Sequence, residues 1–148
     1  MEEQLSQLFE SPMKIIGEVD KTFTYLLNRQ IKKHGLDLTA EQCCVLFCLW
    51  KNDGLNQNEI AEQTYKDKTT ISRHIHHLME KGFVKRAILE SDKRNRLIFL
   101  TKSGKELKSI TLEIIKDVES KIYIGVSNDE QQVFMSILNR VICNLQTG

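Results

Sequence analysis

The sequence predicts a mainly α protein carrying one small β-hairpin between a set of short central helices and a long C-terminal pair. Three observations predict it. One Pro and seven Gly in 148 residues leave little punctuation for loops and favour long helices. Helix-start signatures recur, a Ser, Thr or Asn followed three residues later by Gln or Glu, at Thr39–Gln42, Asn56–Glu59 and Ser127–Glu130. Only Phe83–Leu89 and Arg96–Leu100 are rich in β-branched and large apolar residues, and the segment between them is polar.

The elements follow in order. Ser11 is an N-cap and Pro12 a first helical residue, so a helix is expected over Pro12–His34, stopping at Gly35. Its apolar stripe (Ile15, Ile16, Val19, Phe23, Leu26, Leu27, Ile31) is broader than one small neighbour covers. The helix capped by Thr39 is apolar nearly all round from Cys43 to Trp50, which predicts the central buried helix, ending near Asn52–Gly54. Asn56 caps a short helix ending near Gln63 or Thr64, with Leu55 and Ile60 spaced as a hydrophobic staple. Asp67 caps the next helix and Gly82 ends it. After the hairpin, Thr101 caps a helix expected over Lys102–Ile124. Ser127 caps the last one, whose Val133, Phe134, Ile137, Leu138, Val141, Ile142 and Leu145 recur at three- and four-residue steps. The first and last long helices both carry excess apolar surface, and a two-fold dimer built from the two termini covers it.

Charge is unevenly spread. Net charge is only +1, yet Asn56–Lys105 holds eleven Lys/Arg against six Asp/Glu, a net of +5, leaving −4 for the remainder. The positive charge therefore sits on the helix–helix–hairpin stretch, as a polyanion-binding surface requires. The first ten residues are acidic and have no continuous apolar run, unlike a signal peptide, and no stretch is long enough to span a membrane. A cytoplasmic protein is expected. Four Cys in a chain of this size do not make a secreted disulfide framework.

The helix after Asp67 is the informative one. With Ile75 at zero and 100° per residue, Ile71, Leu78 and Met79 fall within about 60° and form its buried side. Arg73 falls about 160° away, at the middle of the opposite face. Thr69, Thr70, His76 and His77 surround it, Lys66 and Lys68 lie at the helix start, and Ser72 is at the boundary. Every group on that outer face donates a hydrogen bond or carries positive charge, and no acid is expected to interrupt it. Arg pairs bidentately with guanine, Thr reaches phosphate or a thymine methyl, and His donates to phosphate. In the hairpin, Lys93, Arg94 and Arg96 put three cations on a loop spanning Glu90–Arg96. An Arg there suits the negative potential of the minor groove. Asp92, which phosphate would repel, is expected to pair with a nearby Arg and brace the loop.

The segments LTAEQCCVLFCLW, LNQNEIAEQTYKDKTTISRHIHHLMEKGFVKR and SDKRNRLIFLTKSGKEL, from Leu38 to Leu107, resemble the MarR family of winged helix-turn-helix regulators, including its DxR wing (Asp92, Arg94) and its LTxxG segment (Leu100–Gly104). The resemblance implies a winged helix-turn-helix region over 36–105 flanked by dimerisation helices at 1–35 and 106–148. It implies that Asp67–Lys81 is the recognition helix, that Thr69, Thr70, Ser72 and Arg73 face the groove, and that Arg94 is the minor-groove arginine. It also implies a homodimeric repressor, released from DNA by a small phenolic or lipophilic molecule or by cysteine oxidation.

Cys43, Cys44, Cys48 and Cys143 could carry such a redox signal, but they read as structural core cysteines, because CCVLFCLW looks buried. The peroxide-sensing branch of the family places its reactive Cys near the start of the first helix, and no Cys precedes Cys43 here. His74 and His77 are three residues apart, but no Cys or carboxylate joins them at metal-ligand spacing. There is no glycine-rich phosphate loop, GxSxG or HExxH, so neither enzyme activity nor a cofactor is expected. The reading is a sequence-specific, homodimeric regulator of pseudo-palindromic double-stranded DNA with a small-molecule effector. Its competitors are a winged-helix protein-interaction module without DNA binding, against which the basic outer face argues, and a thiol-based redox regulator.

Overall fold

A computed structural model describes residues 1–148, with the side chains of Lys93 and Arg94 outside the description. The elements are α1 (Glu2–Phe9), α2 (Pro12–Lys33), α3 (Ala40–Lys51), β1 (Leu55–Asn56), α4 (Gln57–Thr64), α5 (Lys68–Glu80), β2 (Val84–Leu89), β3 (Asp92–Leu100), α6 (Lys102–Ile122) and α7 (Asn128–Thr147). They form two compact units, Met1–Ile115 and Lys116–Gly148.

The predicted caps are present. Ser11 accepts from the Lys14 N–H, and Pro12 opens α2. Thr39–Gln42, Asn56–Glu59 and Ser127–Glu130 are full capping boxes. Gly82 ends α5 at φ +76°, a conformation that costs a side-chain-bearing residue energy; its N–H donates to Met79 O and that of Phe83 to Leu78 O.

In the first unit α3 is central. Its Cys43, Val45, Leu46 and Leu49 are buried, as are Leu27 and Ile31 of α2, Ile60 of α4, Ile71, Ile75 and Leu78 of α5, and Val84, Ile98 and Leu100 of the sheet. Each large aliphatic side chain so buried contributes roughly 1.5–3 kcal/mol relative to exposure. Met79, expected with the buried side, is half-buried.

Three features depart from expectation. The acidic N-terminus forms α1, with Glu2 and Glu3 in its first turn, where the helix dipole favours them. β1, too short to leave a periodic signal, pairs antiparallel with β3 (Leu55 opposite Ile98, Asn56 opposite Leu97) and makes the hairpin a three-stranded sheet of order β1-β3-β2. β3 begins at Asp92, so the polar stretch expected as a loop is mostly strand and the turn is Glu90–Ser91. Composition misleads here because a ribbon pairs through its backbone and tolerates polar side chains on its wet face.

The LTxxG segment couples the sheet to α6. Thr101 Oγ1 donates to Gly82 O at 2.6 Å and accepts from the Gly104 N–H at 3.1 Å. The Thr101 N–H donates to Phe83 O at 3.0 Å. Trp50 Nε1 donates to Gly104 O at 2.9 Å. A Cβ on Gly104 would run into the Phe83 carbonyl oxygen, so only glycine fits.

In the second unit, no residue of α7 is buried, and Val133, Phe134, Ile137, Ile142 and Leu145 are exposed. On α2, Met13, Ile15, Ile16 and Val19 are exposed as well. Among the described residues no helix is long and apolar enough to cross a membrane.

Candidate nucleic-acid interface

Helices α4 and α5 are joined by Tyr65–Asp67. Tyr65 adopts the left-handed conformation at φ +54°, uncommon for a non-glycine residue, and the Lys66 N–H behind it donates to Ala61 O at 3.2 Å. This turn sets the angle between the two helices. Gln57 adds a tie: its Nε2 donates to Lys68 O at 2.9 Å, linking the first turns of α4 and α5.

Asp67 caps α5 with both carboxylate oxygens. Oδ1 accepts from the Thr70 N–H at 2.8 Å and Oδ2 from the Thr70 hydroxyl at 2.7 Å. The backbone and side-chain bonds from Thr70 hold the Asp67 carboxyl below the usual carboxylate range. The cap thus occupies the Thr70 hydroxyl proton, leaving that residue its methyl and an acceptor lone pair for a groove. Lys66, Lys68, Thr69, Arg73 and His76 are exposed, while Thr70, Ser72 and His77 are half-buried.

The expectation of an outer face without acids does not hold. Glu80 Oε1 lies 3.3 Å from His76 Nε2, with both side chains more than half exposed. The i, i+4 spacing brings Glu80 round to the same side. His74 is half-buried and its Nδ1 has no hydrogen-bond partner. Burial, then the neighbouring Arg73 charge, pushes its imidazole below its ordinary value. It therefore stays neutral beside a cationic surface. Among the described residues no group of three His, Cys, Asp or Glu is arranged to hold a metal ion.

On the hairpin, Arg96 lies within β3 opposite Ile88 and is exposed. Asp92 opens β3 opposite Leu89. Lys93 and Arg94, expected as tip cations, lie outside the described residues. Arg96 and Asn95 line a polar notch of about 320 Å³ with Asn56, Gln57 and Asn58 at the start of α4. The sequence carried no signal for this notch, because its two sides are some forty residues apart and meet only when β1 pairs with β3.

The cysteines divide. Cys43 and Cys48 are buried, whereas Cys44 and Cys143 are exposed, against the expectation of four core residues. Cys44 lies on the one exposed edge of α3 between Lys51 and Glu41, a face that an all-apolar string conceals. Burial pushes the Cys43 thiol up to about 12. Although the Cys44 side chain reaches the surface, partial desolvation by the protein around it raises its thiol, partly offset by the Lys66 charge, and Cys48 is raised by burial.

Two helices joined by a tight turn, with a β-hairpin flanking the second, define a winged helix-turn-helix, a DNA-binding class of fold. The profile of the MarR family matches residues 38–95. SarZ of Staphylococcus haemolyticus, an HTH-type transcriptional regulator, is 32% identical over 127 residues, covering 86% of this chain and 81% of SarZ. The crystal structure of the transcriptional regulator SlyA superposes with a TM-score of 0.84 at 28% identity, covering 90% of this chain and 92% of SlyA. MepR of S. aureus, solved as a complex with DNA, shares the fold with a TM-score of 0.82 at 23% identity, covering 90% of this chain and 98% of MepR. The chain belongs to the MarR family of transcriptional regulators.

Proposed function

We propose that this regulator binds a pseudo-palindromic operator as a two-fold homodimer, with α5 of each copy in successive major grooves and each β2–β3 hairpin on the flanking backbone and minor groove. The observation that carries the reading is the exposed face of α5, where Thr69 and Arg73 share one side of a helix whose opposite side is locked into the core by Ile71, Ile75 and Leu78, with Lys68 exposed at its first turn. In this reading Arg73 reads a base, Thr69 and Ser72 contact base edges or phosphate, and Thr70 offers its methyl and acceptor lone pair to a base edge. Lys66, Lys68, His76, His77, Lys93 and Arg96 hold the backbone. Arg94 enters the minor groove and Asp92 braces the hairpin. Residues 36–105 are the DNA-binding region, and the uncovered apolar faces of α2 and α7 support dimerisation through 1–35 and 106–148.

The protein acts in the cytoplasm as a repressor and performs no catalysis. A small-molecule effector lowers operator occupancy by preferring a dimer with a different separation of the two α5 helices. Selection of bound duplexes from a random pool tests this reading. An inverted repeat with half-sites about one helical turn apart is expected, together with affinity that falls steeply as salt rises. Recovery of no duplex, or binding indifferent to salt, would favour the protein-interaction module instead.

A further inference from the structure

Lys81 is one of the cations of the basic stretch, but its ammonium is turned inward. It caps the C-terminal end of α5, and its side chain is 22% exposed. Its Nζ donates to Asp37 O at 2.8 Å and Gln42 Oε1 at 3.1 Å, and lies 3.2 Å from Asp37 Oδ1. An ammonium has three N–H donors, so these acceptors use its full capacity. Gln42 is 4% exposed, and the same Oε1 accepts from the Thr39 N–H in the capping box of α3. The adjacent Ala40 N–H donates to Asn28 Oδ1 of α2 at 2.7 Å. A continuous polar path therefore runs from α2 through the start of α3 to the end of α5.

The geometry assigns Lys81 as a positioning residue: through Gln42 and the Asp37 carbonyl it fixes the end of α5 relative to α2, and so sets the spacing at which two α5 helices meet DNA. The last clause rests on the reading of α5 as recognition helix and of α2 as a dimerisation helix. Asp37 is 84% exposed, so its carboxylate is screened and contributes little. The backbone carbonyl of Asp37 and the buried Gln42 amide carry the restraint. A cation held this way is not available to a phosphate, and it sits where the negative end of the α5 dipole favours it.

The test substitutes Lys81→Met, which keeps the stem and removes all three donors, with Lys81→Arg and Asp37→Asn as conservative variants. In a Cys44→Ser, Cys143→Ser background, spin labels at Lys21→Cys and Glu80→Cys read the α2–α5 distance without DNA. Lys81→Met is expected to shift or broaden that distribution, and Asp37→Asn to leave it as in the parent. On duplexes whose half-site spacers differ by one base pair, Lys81→Met is expected to lose roughly 2- to 30-fold of the discrimination between spacers, with an unchanged salt slope. Lys81→Arg is expected to recover part of it. A reduced salt slope with equal loss on all duplexes would make Lys81 a phosphate contact and overturn the inference, as would an unaltered distance distribution. If Lys81→Met does not fold, Asn28→Ala at the far end of the path decides by the same two readouts. If the parent binds no duplex while the distance still broadens, the DNA reading fails and the positional role of Lys81 stands.

Discussion

Replacing Gly104 by Ala pits helix propensity against close packing. Gly104 lies in the first turn of α6, where Ala would ordinarily gain about 0.5–1 kcal/mol over Gly. Here the added methyl runs into the Phe83 carbonyl oxygen and approaches Leu100 Cδ2 to 3.3 Å. That oxygen is backbone and accepts from the Thr101 N–H, so it cannot retreat without giving up a hydrogen bond. Forcing a methylene into such a site costs about 1–3 kcal/mol, and weakening the attached hydrogen bonds adds about 1 kcal/mol. After the propensity gain, a net loss of about 1–3.5 kcal/mol is expected, or a fall in Tm of roughly 2–14 °C for a chain of this length. Denaturant unfolding at fixed chain concentration measures it, with an unchanged m-value showing that stability alone has moved. Gly17→Ala in α2 is the contrast, because nothing in the chain lies within 4 Å of its new methyl. A gain of about 0.5–1 kcal/mol is expected there. If Gly104→Ala were neutral or stabilising, the account of the LTxxG segment as a close-approach site would be wrong.

Arg73→Ala is expected to weaken operator binding by about 1–3 kcal/mol while sparing random DNA; equal loss on both, read by titration at matched salt, would make Arg73 a phosphate contact. Cys44 is expected to react with a thiol reagent in the folded protein while Cys43 does so only on unfolding. Because its thiol is raised by burial, the Cys44 rate should keep climbing above the ordinary thiol range; fast alkylation at neutral pH, followed by mass, would revive the redox alternative. The folded-state pKa of His74 lies below its ordinary 6.5, so acid protonates the unfolded chain first. Its contribution to stability is full above the ordinary value and is lost as pH falls through the folded one. A His74→Gln variant should therefore lose less stability than the parent between neutral pH and the acid side of that range; equal losses in the two would contradict this.

Much of the local structure was legible because it is written in contiguous residues. Thr39 with Gln42, Asn56 with Glu59, Asp67 alone and Ser127 with Glu130 each state where a helix begins, since the cap and the amide it satisfies are three residues apart. The period of Ile71, Ile75 and Leu78 likewise states which side of α5 is buried, and hence that Arg73 faces out. The candidate site was legible to the same depth: the residue types on α5 could be read, but their partners could not. That Thr70 spends its hydroxyl on Asp67 and that Glu80 reaches His76 depend on side-chain geometry that spacing alone permits but does not compel.

What the sequence by itself determined, then, is the order of the longer helices and the hairpin, the capped starts of those helices, the buried side of α5 and the membership of a winged helix-turn-helix family. These follow from local hydrogen bonding and hydrophobic period. Tertiary structure alone decided where distant segments meet. β1 exists only because Leu55 and Asn56 find the edge of β3, and that pairing draws the start of α4 towards Arg96. Cys44 faces water while its neighbour Cys43 is buried, because α3 is enclosed on all sides but one. In the sequence Lys81 is only one of the cations counted over Asn56–Lys105, and only the approach of Asp37 and Gln42 turns it inward. The physical reason is common to all three: a side chain's task is set by the partners within hydrogen-bonding or van der Waals range, and for these residues the partners lie far away along the chain.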